Sequence, residues 1–379
     1  MKKRATLTLW IALLALFALA AFLANTGLVF PPPGDYQPDS RYERAQVKKI
    51  ITDTLAPDPD FPELLIGVQE VEMVLLSGAQ KGRPVLAKNF VGRLENKPVQ
   101  VGTKIIAFST DGFRTAMISG YSRETTLAAL ALLFVLTVAV FGGAKGVKAL
   151  LALIFTLVSV VVLFIPLLLR GANPVVAATV VVIFSTAVTM LALNGLSPKT
   201  GAAVAGCIIC TFCAGGVALL FGRLAHVSTY TTPEAENLIF IAQQTNLRLH
   251  DILFAGVIIA SSGAVMDTCI SVASAMHELA VLNPGLTPGA LLQAGLNVGR
   301  DIMGTMTNTL ILAFTGSALN TLLIVFMYRM PYFRTVNLDL FVVEVLRGLS
   351  GSIGLALAVP VTALLAARLL RPRAGEKSV

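Results

Sequence analysis

The sequence predicts a membrane all-α bundle of about eight transmembrane helices, with a small extracytoplasmic β-rich domain inserted between the first and second helices. Three observations carry this. Of 379 residues, 55% are hydrophobic and 13% charged, about half the charged share of a soluble globular chain. The apolar residues gather into blocks of about 20, the length that crosses a hydrocarbon core of about 30 Å. One stretch, residues 31–123, departs from this with a polar composition and β-like alternation.

Lys2, Lys3 and Arg4 precede an apolar run from Leu7 to Val29 that holds Trp10, so residues 1–30 are expected to form an N-terminal transmembrane helix. Ala18-Leu19-Ala20 resembles a signal-peptidase site, but the run continues well past it, which favours a retained anchor. Retained or cleaved, it places the next segment outside the cell. Pro31, Pro32, Pro33 and Gly34 end the helix and open the external domain of residues 31–123. Within it, Gly67–Leu76 and Val99–Phe108 alternate, are rich in β-branched residues, and are flanked by turn pairs such as Ser77-Gly78 and Lys81-Gly82. These are strand signals, and they predict a small antiparallel barrel or sandwich.

Seven further apolar blocks follow, at about 125–141, 148–169, 174–194, 201–221, 252–276, 303–327 and 345–369. They make residues 124–370 a seven-helix bundle, and residues 371–379 a basic cytoplasmic tail. Eight spans put both termini on one side. Short segments on that side carry Lys2, Lys3, Arg4, Lys145, Lys148, Lys199, Arg300, Arg368, Arg371, Arg373 and Lys377, against Arg170, Arg223, Arg248, Arg329 and Arg334 opposite. Both termini are therefore expected to be cytoplasmic. Thr232-Pro233-Glu234 opens a short external helix reaching to Gln244, and Gly195-Leu196-Ser197-Pro198 and Gly285-Leu286-Thr287-Pro288 share the same helix-start chemistry.

Net charge is +8, yet residues 31–124 hold 12 basic and 12 acidic residues, so the excess lies in the membrane part and its loops. That follows the positive-inside pattern and not a nucleic-acid footprint, so nucleic acid is excluded as a partner. Cys207, Cys210, Cys213 and Cys269 all lie in apolar segments, which leaves no disulfide framework for the external domain. Cys207, Cys210 and Cys213 have C-x2-C-x2-C spacing, but a continuous apolar helix offers neither loop geometry nor a fourth ligand. No phosphate-binding loop, H-E-x-x-H zinc motif or G-x-S-x-G nucleophile elbow is present. No cofactor and no metal are expected, and the chain reads as a non-enzyme.

Ionisable side chains inside a span are costly, so each marks a candidate site. In the sixth block Asp267, Ser271, Ser274 and Glu278 share one helix face at i, i+4, i+7 and i+11, with Asp267 too deep to snorkel. The seventh begins with Arg300 and places Asp301, Thr305 and Asn308 at i, i+4 and i+7, with Gly304 permitting close approach. Their hard oxygen ligands suit Na⁺, Mg²⁺ or a protonated substrate group. The eighth adds Glu344, Arg347, Ser350, Gly351 and Gly354, then Pro360, and Arg347 is a counter-ion for a membrane carboxylate. The competing expectation is that these charges merely pair and hold helices together. His226, His250 and His277 fall near span ends, and His250 adjoins Asp251.

From His250 to Glu278, and above all across Gly299-Arg300-Asp301-Ile302-Met303-Gly304-Thr305-Met306-Thr307-Asn308-Thr309-Leu310, the sequence resembles the YibE/F-like family of bacterial membrane proteins. The resemblance extends over residues 67–370, including Arg347–Gly354 and Val359-Pro360-Val361-Thr362. It implies a plasma-membrane protein with an external domain behind the first helix, and it brings no activity with it.

The polar faces of the last three spans point to a secondary transporter or permease, ion- or proton-coupled, for a small solute or ion in the lipid bilayer. Its substrate or ion site would comprise Asp267, Ser271, Ser274, Asp301, Thr305, Asn308 and Arg347, supported by Glu278, Arg300 and Glu344. The alternative is a non-enzymatic membrane partner or assembly factor in which residues 31–123 dock an envelope protein. Small-residue patterns such as Ser350 to Gly354 fit packing within one chain or within a homo-oligomer.

Overall fold

The computed structural model describes residue 21, residues 41–231 and residues 235–370. The expected first helix, the Thr232-Pro233-Glu234 cap and the basic tail lie outside these. The chain divides into two compact units, Asp35–Val140 and one that contains Phe141–Val379.

The first unit is built on six strands: β1 (Arg41–Asp53), β2 (Ala56–Pro57), β3 (Leu65–Leu75), β4 (Pro84–Val91), β5 (Lys104–Ser109) and β6 (Ala116–Tyr121). Along β4 every second residue is buried, the period-two pattern of a sheet with one face on a core. The sheet order is β1-β5-β6-β4-β3-β2, and β1 also pairs β3, which closes five strands into a barrel. β1 achieves both pairings because register shifts at Val47/Lys49 and Ile50/Thr52 bend it, as bulges do. The pairing is antiparallel throughout except at one seam, where β4 runs parallel to β6 through Ala87↔Ala116 and Lys88↔Met117. A closed five-stranded Greek key with this single parallel seam has the topology of an OB-fold, so of the two expected architectures the barrel is the one formed.

Val47, Val71, Met73, Leu75 and Ile105 fill the barrel. The amide of Gln69 crosses it: Nε2 donates to Asp53 Oδ2 (3.0 Å) and the Val99 carbonyl (3.1 Å), while Oε1 accepts from Asn89 Nδ2 (3.2 Å) and the Val99 amide (2.9 Å). At Gly67 (φ 144°) an added Cβ would lie 2.5 Å from the Thr54 carbonyl oxygen, so β3 passes the β1–β2 turn only as glycine.

The helices are α1 (Glu124–Ser159), a π-helical turn (Val160–Phe164), α2 (Ile165–Leu169), α3 (Pro174–Asn194), α4 (Pro198–Leu224), α5 (Ala235–Gln244), α6 (Ile252–Leu282), α7 (Pro288–Ser317), α8 (Leu319–Met327), α9 (Tyr332–Thr335) and α10 (Asp339–Leu369). The helix starts follow the local grammar: Asn173, Ser197 and Thr287 each cap their helix through the side chain, with proline next. α5 is the short helix that the sequence placed before Gln244.

Among the described residues five helices are long and apolar enough to cross a membrane, or six if α7 and α8 form one bent span. The run Glu124–Leu169 is 46 residues long, more than the roughly 20 that cross a hydrocarbon core, and Gly143 (φ 54°, ψ −140°) divides it into two helical segments between the expected blocks 125–141 and 148–169; that dihedral pair is open to glycine. The block at 303–327 is bent by 62° at Ala318.

α6 is the hub of the bundle and packs on α3, α4, α7 and α10. Glycines set the closest approaches: Gly354 of α10 lies against Ala214 and Cys210 of α4, and Gly351 against Leu310 and Ser261. The Ser350–Gly354 pattern is thus used within one chain.

Candidate functional site

The three polar stripes occupy different positions in the bundle. On α6 the residues turned to the core are Val265, Cys269, Val272, Ala273 and Met276. Asp267 lies on the opposite side, exposed in line with Gly256, Ala260 and Gly263, while Ser271 and Ser274 are half-buried and Glu278 is exposed. Among the described residues the Asp267 carboxylate has no hydrogen bond or ion pair. On α7 the core-facing positions are Gly295, Gly299, Met303, Met306 and Leu310. Asp301, Thr305 and Asn308 fall on the far side and are exposed. Thr305 Oγ1 donates back to the Ile302 carbonyl (3.0 Å), and Arg300 donates to Asn297 Oδ1 (3.2 Å).

α10 supplies the stripe that does lie between helices. Arg347 Nη1 reaches Glu344 Oε1 at 2.9 Å, with both side chains partly buried. The membrane carboxylate that Arg347 neutralises is therefore Glu344, one turn away on its own helix, and neither Asp267 nor Asp301. The second oxygen, Oε2, is buried without a hydrogen-bond partner among the described residues. Glu344 lines a groove of about 290 Å³ together with Ile311, Phe314 and Thr315 of α7, Thr321 of α8 and Gly348 of α10. The groove sits at the α7–α8 bend. Sequence reasoning named Glu344 but missed the break, whose local signal is Gly316-Ser317 within an apolar run.

The other candidates are placed as follows. Cys207 and Cys210 are buried in α4 and Cys213 is half-buried; Cys207 Sγ sits 3.8 Å from Thr186 Oγ1 and 3.9 Å from Thr211 Oγ1. His250 Nε2 lies 3.3 Å from Asp251 Oδ1. Asp251 is buried in the left-handed conformation (φ 68°) immediately before α6. Among the described residues no group of three or more His, Cys, Asp or Glu is arranged to hold a metal ion.

In the barrel unit Arg93 bridges Asp58 and Asp60. The guanidinium beside Asp58 holds its carboxyl below the usual range, and the two carboxylates in turn raise the Arg93 pKa. A groove of about 490 Å³ runs over the parallel seam, lined by Ile51, Leu86, Phe90 and Met117 with Lys88 and Arg114 among its polar groups. Leu86 is 62% and Phe90 56% exposed, an apolar patch on a polar domain. Both lie on the outer face of β4, a strand that the sequence reading did not single out.

A family model described as YibE/F-like protein matches residues 130–372, and the chain belongs to that family. The match begins inside α1, so the barrel lies outside it, whereas the resemblance seen in the sequence was drawn back to residue 67. No curated protein and no solved structure matches the chain. Family and apolar helices together make this a membrane protein.

Proposed function

We propose that this member of the YibE/F-like family is a secondary transporter or permease, coupled to an ion or proton, in a bacterial plasma membrane with both termini cytoplasmic and the barrel outside. The observation that carries the reading is the discontinuous α7–α8 helix beside the Glu344–Arg347 pair, which together border the 290 Å³ groove. Broken helices expose backbone groups to a substrate at mid-membrane, and ionisable pairs there mark solute or ion paths. Asp267, on a spanning helix and without a hydrogen-bond or ion-pair partner among the described residues, is the coupling group.

The test is flux into proteoliposomes holding the full chain, driven by a proton or Na⁺ gradient, over a panel of small solutes. A thermal-unfolding screen of cations and metabolites chooses the panel, since a ligand at about 100 times its Kd adds about 2.7 kcal/mol. Asp267→Asn abolishes coupled flux and leaves folding intact. Unchanged flux in that variant, or a variant that no longer folds, refutes the coupling role.

The groove over the barrel seam favours a second reading, a partner or assembly factor that docks an envelope protein. Loss of a co-purifying protein on deletion of residues 35–120, with no solute flux in the intact chain, would select it.

A further inference from the structure

The outward faces of the bundle divide by composition. α4 turns out Ile209, Phe212 and Leu220, and α10 turns out Val345, Leu349, Ile353 and Leu357. Lipid tails accept such surfaces. α7 instead turns out Asn297, Arg300, Asp301, Thr305 and Asn308, and its neighbour α6 turns out Gly256, Ala260, Gly263 and Asp267. Carboxylates and carboxamides facing hydrocarbon are costly, which is why such residues in spans face protein or water. Asp267, Asp301 and the Asn308 carboxamide nevertheless have no hydrogen-bond or ion-pair partner among the described residues.

The glycines give an independent indication. Gly295 and Gly299 of α7 are already filled by Met276 and Val359 of the same chain, whereas a Cβ added at Gly256, Gly263 or Gly304 meets nothing within 4 Å. Small residues joined to polar ones are how helices associate inside a bilayer, the first permitting close approach and the second hydrogen bonding across it.

We propose that the α6–α7 face is covered by the same face of a second copy of this chain. The charges select that occupant. Arg300 and Asp301 are consecutive and both outward, so a two-fold axis beside them brings each Arg300 to the other copy's Asp301, a self-complementary arrangement of the kind isologous interfaces require. The apolar run from Leu7 to Val29 carries no charged side chain and so offers no counter-charge to Arg300 or Asp301. The second copy completes the polar stripe: it neutralises Asp301 and removes Asn308 from lipid. The inference rests on exposure and charge alone and holds whether or not the chain transports a solute.

The experiment uses the full chain in native membranes. Thr305→Cys and Asn308→Cys are treated with a short thiol cross-linker, beside Phe212→Cys and Ile353→Cys as lipid-facing controls and the unaltered chain for its own cysteines. A product of twice the monomer mass at 305 and 308, at least tenfold above the controls, is expected. Asp301→Arg in the Asn308→Cys background removes the product, and adding Arg300→Asp restores it, because the pair is then exchanged on both copies. Asp301→Asn, a milder change, weakens it as well. Cross-linking at 305 and 308 no greater than at 212 and 353 overturns the proposal. So does a product of any other mass, which would assign the face to a different protein, or a charge-exchanged chain that stays monomeric while Asn308→Cys alone cross-links. A cross-linked dimer without flux would refute the transport reading and leave this one standing.

Discussion

Replacing Gly354 with alanine tests how tightly α10 is set against α4. A Cβ at 354 would lie 2.6 Å from Ala214 Cβ and 3.0 Å from the Cys210 carbonyl oxygen, where ordinary contact is 3.4–4 Å. Neither obstacle can rotate away, since one is bonded to the backbone and the other belongs to it, so the helices must separate. Leu355 and Ala358 on α10 are fully buried beside this point, and the displacement spreads to them. Overpacking of this kind costs about 1–3 kcal/mol, partly offset by the roughly 0.5–1 kcal/mol that alanine gains over glycine inside a helix. The expected net loss is about 1–2 kcal/mol, read as a fall in Tm of about 2–8 °C for a body of 150–250 residues. Thermal unfolding of the full chain in detergent measures it, with Gly216→Ala as the paired control: that glycine is also in α4, but a Cβ there meets nothing within 4 Å. The control should hold or raise Tm. If Gly354→Ala melts at or above the unaltered chain, or the two alanines behave alike, close α4–α10 packing is not what the glycine provides.

Three further outcomes are expected. Gln69→Leu strands the Val99 amide and carbonyl that Gln69 satisfies, and at about 1–3 kcal/mol per buried orphan it should destabilise the barrel by at least about 2 kcal/mol in denaturant titration; a loss under about 0.5 kcal/mol would contradict the buried network. Acid should weaken the barrel in a defined window. Ser109 and Thr115 hydroxyls, joined by backbone amides, hold the Asp111 carboxyl at about 2 against an ordinary 3.8, and Arg93 depresses Asp58; a depressed folded-state pKa means stability that is present above pH 3.8 and lost as pH falls toward 2. The β signal in circular dichroism followed from pH 6 down reports this, Asp111→Asn should narrow the loss, and stability that rises on acidification would reverse the sign. Arg347→Gln leaves Glu344 charged and half-buried without its partner. Removing one member of a fully buried pair costs 3–5 kcal/mol, so about 1–3 kcal/mol is expected at this exposure, with recovery in Arg347→Gln/Glu344→Gln; no loss would show the pair to be unimportant for folding.

The sequence made legible whatever depends on near neighbours. Alternation located β3 from Gly67 onward, proline after Ser197 and Thr287 located the starts of α4 and α7, and the apolar blocks located every long helix among the described residues. Closure of the barrel was not legible, because it depends on β1 bending to serve both β3 and β5 and on a parallel seam of two residue pairs. The break between α7 and α8 was hidden for a related reason: hydropathy sees one apolar run through 303–327 and carries no signal of a 62° change of direction within it.

The candidate site shows where periodicity stops being informative. A spacing of i, i+4, i+7 states that Asp301, Thr305 and Asn308 share a face of their helix, but it leaves the rotation of that helix in the bundle open. That rotation is set by Gly295 and Gly299, which admit Met276 and Val359 and thereby turn the polar stripe away from the core. The convergence expected between Asp267, Asp301 and Arg347 assumed the opposite rotation. Glu344 and Arg347 were immune to the uncertainty, since partners three residues apart meet whichever way the helix is turned. It follows that a lone intramembrane carboxylate and a locally paired one are different kinds of evidence: the pair can be assigned from one chain, whereas Asp267 and Asp301 require a second surface before their chemistry is complete.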